Sequence, residues 1–134
     1  MAKLKDLFVD PVVVKDGRWV DYLCGVKLRV ARFGNEAHSA FLREAYAPHR
    51  KETREGKLDP AVATEIGRRG VAQYVLRDWS GLEDDDGQPL NYSPEKALEL
   101  FAHPKLADLY AFVVEAARHE DAYREAALED ARKN

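Results

Sequence analysis

The chain has 134 residues and a mass of 15.2 kDa, which is the size of one domain with one hydrophobic core. Its 21 basic and 24 acidic residues give a net charge of −3, which excludes a general attraction to nucleic acid. The single cysteine, Cys24, excludes an intrachain disulfide, and neither a signal peptide nor a membrane-spanning run is present. We therefore expect one cytoplasmic domain over residues 1–134, with no membrane partner.

Residues 7–33 have the composition of β-strands. In VVVKDGRWV, Asp16-Gly17 stands between two apolar runs and predicts a two-residue hairpin turn. Cys24-Gly25 predicts a second reversal, and the apolar residues after it alternate with Lys and Arg: Val26, Leu28 and Val30. This pattern predicts an antiparallel hairpin or three-stranded sheet with one buried face.

Residues 35–130 show helical periodicity instead. The first helix is expected to end near Ala47, before Pro48, and the second at about Arg77. Four start signals, each a capping residue and three of them followed by proline, predict four helices: Asn35, Asp59-Pro60, Ser93-Pro94 and His103-Pro104. The fold class predicted is α+β, mainly α-helical.

An acidic loop occupies the segment DWSGLEDDDGQPLNYSPEKALELF, residues 78–101. It could bind calcium, hold a catalytic acid, or form a solvated turn. An EF-hand with Gly87 at its sixth position would place Leu82 first and Ser93 twelfth, which removes two essential oxygen ligands. No neighbouring residue marks one carboxylate as catalytic. The solvated turn is therefore favoured.

The chain contains residue types that enzymes use for catalysis, but they do not have the spacing of the common catalytic motifs. His38, His49, His103 and His119 lack metal-ligand spacing, and the chain has no GxSxG and no phosphate-binding GxxxxGK[ST]. We interpret His103 as a helix cap and the other three histidines as surface residues. We expect no enzyme activity, no metal and no cofactor.

The two tryptophans, Trp19 and Trp79, could stack on a ligand or fill the core, and we expect both to be core residues.

The segment VLRDWSGLEDDDGQPLNYSPEKALELF resembles the second half of the tail assembly chaperones of lambda-like, long-tailed phages and prophages. Those proteins have a helix ending in a Trp-Gly-hydrophobic element, an Asp-rich loop closed by Gly, and a Pro-hydrophobic-polar-Ser step into a helix. RFGNEAHSAFLREA is similar to their strand-to-helix step. The resemblance falls on ten residues: Trp79, Gly81, Leu82, Asp84, Asp86, Gly87, Pro89, Leu90, Ser93 and Glu95.

The resemblance implies a non-catalytic protein that binds the tape measure protein, brings tail tube subunits to it, and is absent from the mature virion. It also implies a homo-oligomer, and in some members a longer product made by ribosomal frameshifting. With that product in view, we expect the last helix to end short of Arg132 and leave a solvated tether. The alternative function is a small regulatory module, encoded by a mobile element, that binds a host protein.

Overall fold

A computed structural model describes residues 1–133 and has a mixed α+β fold, mainly helical, as predicted. One antiparallel sheet has the strand order β1-β2-β3. Its strands are β1 (Arg18–Asp21), β2 (Lys27–Val30) and β3 (Leu76–Ser80). The helices of the described residues are α1 (Pro11–Asp16), α2 (Glu36–Tyr46), α3 (Arg50–Arg54), α4 (Pro60–Tyr74), α5 (Pro94–Ala102), α6 (Ala107–Arg118) and α7 (Glu125–Lys133).

The turn between β1 and β2 confirms the predicted second reversal. Leu23–Gly25 form a short 3-10 turn in which Cys24 and Gly25 both have positive φ angles, 58° and 78°. Beyond it, the predicted alternation along β2 is confirmed, since Leu28 and Val30 are buried while Lys27 is exposed. The inner face of the sheet therefore contributes directly to the core.

The predicted hairpin at Asp16-Gly17 is wrong, because the residues before Gly17 form helix α1. The carboxylate of Asp10 accepts hydrogen bonds from the amides of Val12 and Val13, and Pro11 occupies the first helical position. Gly17, with a φ of 94°, ends the helix instead of turning a hairpin. An N-cap followed by proline thus outweighs the turn preference of Asp-Gly.

The third strand of the sheet also differs from the prediction. Helix α4 ends at Tyr74 rather than Arg77, and the chain continues into β3, which pairs with β2. Leu28 stands opposite Trp79, and a register shift follows between Arg29 and Val30. The pairing is made between segments far apart in sequence, so helical periodicity near Tyr74 carried no signal for it.

Three of the four predicted helix starts are confirmed by their caps, and the fourth, at His103, caps a 3-10 turn (Pro104–Leu106) that leads directly into α6. The Asn35 side chain accepts from the His38 amide at 3.0 Å, and the Asp59 carboxylate accepts from Ala61 at 2.9 Å. The Ser93 hydroxyl accepts from Lys96 at 3.0 Å, and the His103 ring accepts from Lys105 at 3.1 Å. The end of the first predicted helix is confirmed too, since α2 stops at Tyr46.

The core lies between the inner face of the sheet and helices α4, α5 and α6. Its large, fully buried side chains come from the sheet, from these helices and from the end of α4: Leu28, Val30, Val71, Val75, Leu76, Phe101 and Val113. No helix among residues 1–133 combines the length and low polarity needed to cross a membrane.

The first and last segments of the described chain are hydrogen-bonded to each other. The Asp10 amide donates to the Tyr123 carbonyl at 3.0 Å, and the Glu125 amide donates to the Phe8 carbonyl at 2.8 Å. The Tyr123 hydroxyl reaches the Val30 carbonyl in β2 at 3.0 Å. The helix from Ala107 ends at Arg118, short of Arg132, but α7 then occupies the segment that we expected to be a tether.

Candidate functional site

The acidic loop is a small hairpin held by its own backbone. The Leu90 amide donates to the Leu82 carbonyl at 2.9 Å, and the Asp84 amide donates to the Gln88 carbonyl at 2.8 Å. One carboxylate oxygen of Asp84 accepts from the amides of Asp86 and Gln88, both at 2.9 Å. Asp84 therefore organises the turn, which is the structural role that the sequence favoured.

Two glycines of the loop have positive φ angles. Gly87, at 81°, is exposed at the tip and donates to the Asp84 carbonyl at 3.0 Å. Gly81, at 79°, lies so close to the β1–β2 turn that a Cβ atom would stand 2.9 Å from the Gly25 carbonyl oxygen. Gly81 is thus required by both conformation and close approach.

Trp79 anchors the loop to the core. Its side chain is only 6% exposed, its indole N–H donates to the Leu90 carbonyl at 2.7 Å, and its ring meets Tyr92 edge to face at 5.0 Å between centroids. The Tyr92 hydroxyl in turn donates to the Leu76 carbonyl in β3. The prediction that Trp79 is buried is therefore confirmed.

The remaining residues of the resemblance complete one continuous unit. Leu82 and Leu90 are half-buried and pack against the core, while Pro89 forms a bridge with Glu83 across the loop. Ser93 caps α5, and Glu95 lies in its first turn. Together the ten residues link the end of β3 to the start of α5. Among residues 1–133, no three His, Cys, Asp or Glu side chains are grouped to hold a metal ion.

A large apolar groove lies elsewhere, among α2, α4, α6 and β1. Its volume is about 1120 Å³, and it is open to solvent along much of its length. Its lining is mostly apolar: Val20, Phe33, Leu42, Tyr46, Gly67, Tyr110, Ala111, Phe112, Val114 and Ala116. None of the ten residues of the resemblance lines it. We define these residues, with the charged and histidine side chains described below, as the helical groove.

Two helices supply most of the lining of the helical groove. Helix α2 contributes His38, Leu42 and Tyr46, whose spacing of four residues places them on one helix face. Helix α6 contributes most of its residues between Tyr110 and Arg118, so the lining covers more than one of its faces. Between them Gly67 of α4 supplies no side chain, and the nearest atom to its missing Cβ is the Tyr110 hydroxyl at 3.2 Å. Burial raises the pKa of Tyr110, so that hydroxyl stays protonated.

Two arginines also line the groove. The guanidinium of Arg118 lies 4.3 Å from the ring centroid of Phe33, and that of Arg18 lies 5.3 Å from the centroid of Tyr123. Neither makes an ion pair within the described part of the chain. The Nε atom of Arg18 is buried and has no acceptor there. Among the described residues, Glu115 is the only carboxylate in the lining, so the two arginines give the lining a net positive charge.

His38 contradicts the expectation that it is a surface residue. It is 1% exposed, its Nδ1 accepts from the Gly34 amide at 2.9 Å, and its ring meets Phe33 edge to face. Burial lowers the pKa of His38, so its ring is neutral at pH 7. Because Nδ1 is an acceptor, the proton resides on Nε2, and the side chain forms part of the groove lining.

Trp19 contradicts the other expectation about aromatic residues. It lies on β1 opposite Arg29 and is 48% exposed, so it is not a core residue. It faces away from the inner side of the sheet, and the Arg29 guanidinium lies 5.9 Å from its ring. The sequence could not distinguish Trp19 from Trp79, because the face of β1 that is buried depends on pairing with β2.

The groove residues were missed by reasoning from the sequence, although one signal was present. Helix α6 has apolar residues at Phe112 and Val114 in addition to its buried stripe of Leu109, Val113 and Ala117. A helix that packs on one neighbour needs an apolar stripe of about 100°. The wider stripe of α6 shows that this helix contributes side chains to the groove as well as to the core.

The chain was also compared with known proteins. The model of one family, described as YdaY prophage protein, matches residues 33–134, which is most of the chain. No curated protein and no solved structure matches. The match begins at Phe33 and includes α2, α4, α6, the acidic loop and β3. The prophage origin contained in the resemblance is thereby supported, and the chain belongs to the YdaY prophage protein family.

Proposed function

We propose that this protein is a tail assembly chaperone of a lambda-like prophage. It binds the tape measure protein in the host cytoplasm, helps to recruit tail tube subunits, and is absent from the mature virion. It is not an enzyme, and it acts as a homo-oligomer. The helical groove is the observation that carries the proposal, with membership of a prophage family as its context.

The groove suits the transient binding of an apolar protein segment. Its lining is mostly apolar and comes largely from helices, with the charged residues Arg18, Glu115 and Arg118 among it, a composition suited to binding a protein segment. Tape measure proteins, as the resemblance implies, are long and aggregation-prone. A chaperone must cover their apolar faces until the tail tube assembles around them.

The acidic loop supports a binding function over a catalytic one. Asp84 is committed to the turn, and Asp85 and Asp86 are exposed at its tip. Trp79 and Leu90 fix the loop to the core. The carboxylates therefore lack the shielded surroundings that general acid or base catalysis requires. In this proposal the loop stabilises the domain while the groove binds.

The test is co-expression of this protein with the tape measure protein of the same prophage. We expect the tape measure protein to become soluble and to co-purify with the chaperone. In Gly67→Leu, a side chain enters the groove where only the Tyr110 hydroxyl is near, and we expect solubilisation to be lost. The matched control is Thr64→Leu, an exposed position on the same helix that does not line the groove.

Thermal melts of both variants must show that they fold. If the wild-type protein neither solubilises nor binds the tape measure protein, the proposal is wrong. Capture of one host protein by the wild type, with no effect on the tape measure protein, would instead support the regulatory module. If Gly67→Leu and Thr64→Leu behave alike, the groove is not the binding surface.

A further inference from the structure

We infer that the occupant of the helical groove is an amphipathic helix that carries a carboxylate beside its apolar face. This inference rests on the proposed function and specifies what the chain recognises in the tape measure protein. It follows from the charges at the rim, from the shape of the walls and from the volume available.

The rim has an excess of positive charge that the described residues leave unpaired. Arg118 and Arg18 lie over aromatic rings, which hold their guanidinium groups in place without neutralising them. Glu115 is the single acidic residue in the lining, and neither arginine is ion-paired with it or with another described residue. An arginine held on an aromatic ring is positioned for a planar, bidentate contact with a carboxylate.

Arg18 adds a second guanidinium to the lining. Its Nε is buried and has no acceptor among residues 1–133, and the same is true of Arg29 and Arg77, which do not line the groove. This atom is covered by the protein, so it does not itself select an acidic partner. The preference for a carboxylate rests on the two guanidinium groups that have no ion pair within the described chain.

The walls favour a helix as the occupant. The lining residues of α2 recur at intervals of four and form a ridge, and α6 lies across the groove from it, so a third helix can pack between the two. A helix of about 10 Å diameter and 5.4 Å pitch fills roughly 420 Å³ per turn, so the volume of about 1120 Å³ accommodates roughly two to three turns. Apolar residues at i, i+3, i+4 and i+7 of such a helix would face Leu42 and Val114.

The experiment measures binding between the purified chaperone and the tape measure protein with which it is co-expressed. We expect Arg118→Glu to weaken binding roughly tenfold or more, and Arg118→Lys to weaken it less. Arg118 is exposed, so both variants should fold like the wild type. Lys105→Glu makes the same change of charge at an exposed residue outside the groove and should bind normally. Single Asp or Glu to Arg changes along the bound segment should include one that restores binding to Arg118→Glu.

Each result is decisive. Selective loss with Arg118→Glu, and its rescue by one charge reversal in the partner, supports the inference. If Arg118→Glu binds normally while Gly67→Leu does not, the occupant is uncharged and the inference alone is overturned. If wild-type binding is absent, the proposed function falls, and the inference falls with it. If the groove is instead occupied by a second copy of this chain, Gly67→Leu will convert an oligomer into a monomer and leave the tape measure protein bound, which also overturns the inference.

Discussion

Replacing Trp79 by alanine tests whether the acidic loop is a structural unit. The indole is almost fully buried and donates a hydrogen bond to the Leu90 carbonyl. Removing a buried tryptophan costs roughly 3 to 5 kcal/mol, because the apolar contact area is lost and a cavity is left. In this case the Leu90 carbonyl also loses its partner, which places the expected loss at the upper end of that range.

Unfolding should be followed by far-UV circular dichroism, with heat and with denaturant. For a domain of this size, a loss of about 4 kcal/mol lowers Tm by roughly 10 to 20 °C. Trp79→Phe keeps an aromatic ring against Tyr92 but not the indole N–H, so it should fall between the wild type and Trp79→Ala. Asp85→Ala, at the exposed tip, should change stability by less than about 0.5 kcal/mol.

The reasoning would be refuted if Trp79→Ala and Asp85→Ala gave equal, small losses. In that case the loop would not depend on its anchor in the core. A loss in Trp79→Phe as large as that in Trp79→Ala would show that the hydrogen bond to Leu90, rather than burial of the ring, holds the loop.

Four further predictions concern the rest of the molecule. Burial lowers the pKa of His38 below its usual value of 6.5, so the unfolded chain binds a proton more readily than the folded protein. The free energy of unfolding should therefore fall as pH drops through 6.5, and it should fall less in His38→Asn. Thermal melts of both proteins at pH 7 and pH 5 measure this difference. Gly70→Ala should destabilise by roughly 1 to 3 kcal/mol, because its Cβ would lie 3.1 Å from the ring of the buried His38. Gly67→Ala should cost less, because its Cβ would meet only the Tyr110 hydroxyl, at 3.2 Å, and the opposite order in melts would contradict the packing described. Calcium and chelators should leave Tm unchanged, and a rise of many degrees with millimolar calcium would disprove this. Light scattering should show self-association, and a monomer at high concentration would count against it.

Local signals in the sequence predicted the helix starts well. Asn35, Asp59, Ser93 and His103 each act through a side chain that reaches an amide two or three residues ahead. Such contacts depend on short stretches of chain and are visible in the sequence. Asp10-Pro11 is the same kind of signal. The prediction followed Asp16-Gly17 instead, because the β-branched residues between the two pairs favour a strand.

Features made by distant segments could not be predicted in this way. Strand β3 forms because residues 76–80 pair with an edge of β2. The helical periodicity of the residues before it did not predict a strand. Trp79 was correctly predicted to be buried, but the same reasoning failed for Trp19, because only strand pairing decides which of the two faces the core. The helical groove was not predicted, because it is formed by α2 and α6, and Gly67 matters there only for the side chain that it lacks.

The hydrogen bonds between Phe8–Asp10 and Tyr123–Glu125 hold an early and a late segment of the chain together. The same fold could therefore be made by a chain in which the elements follow one another in a different order. Since these segments already lie side by side, a short Gly/Ser linker could join residues near Phe8 to residues near Glu125 without crossing the fold. The exposed tip at Asp85 then provides a place to open a new beginning and end. Such a circular permutant would start before α5 and finish after β3, and would leave the residues that line the groove unchanged.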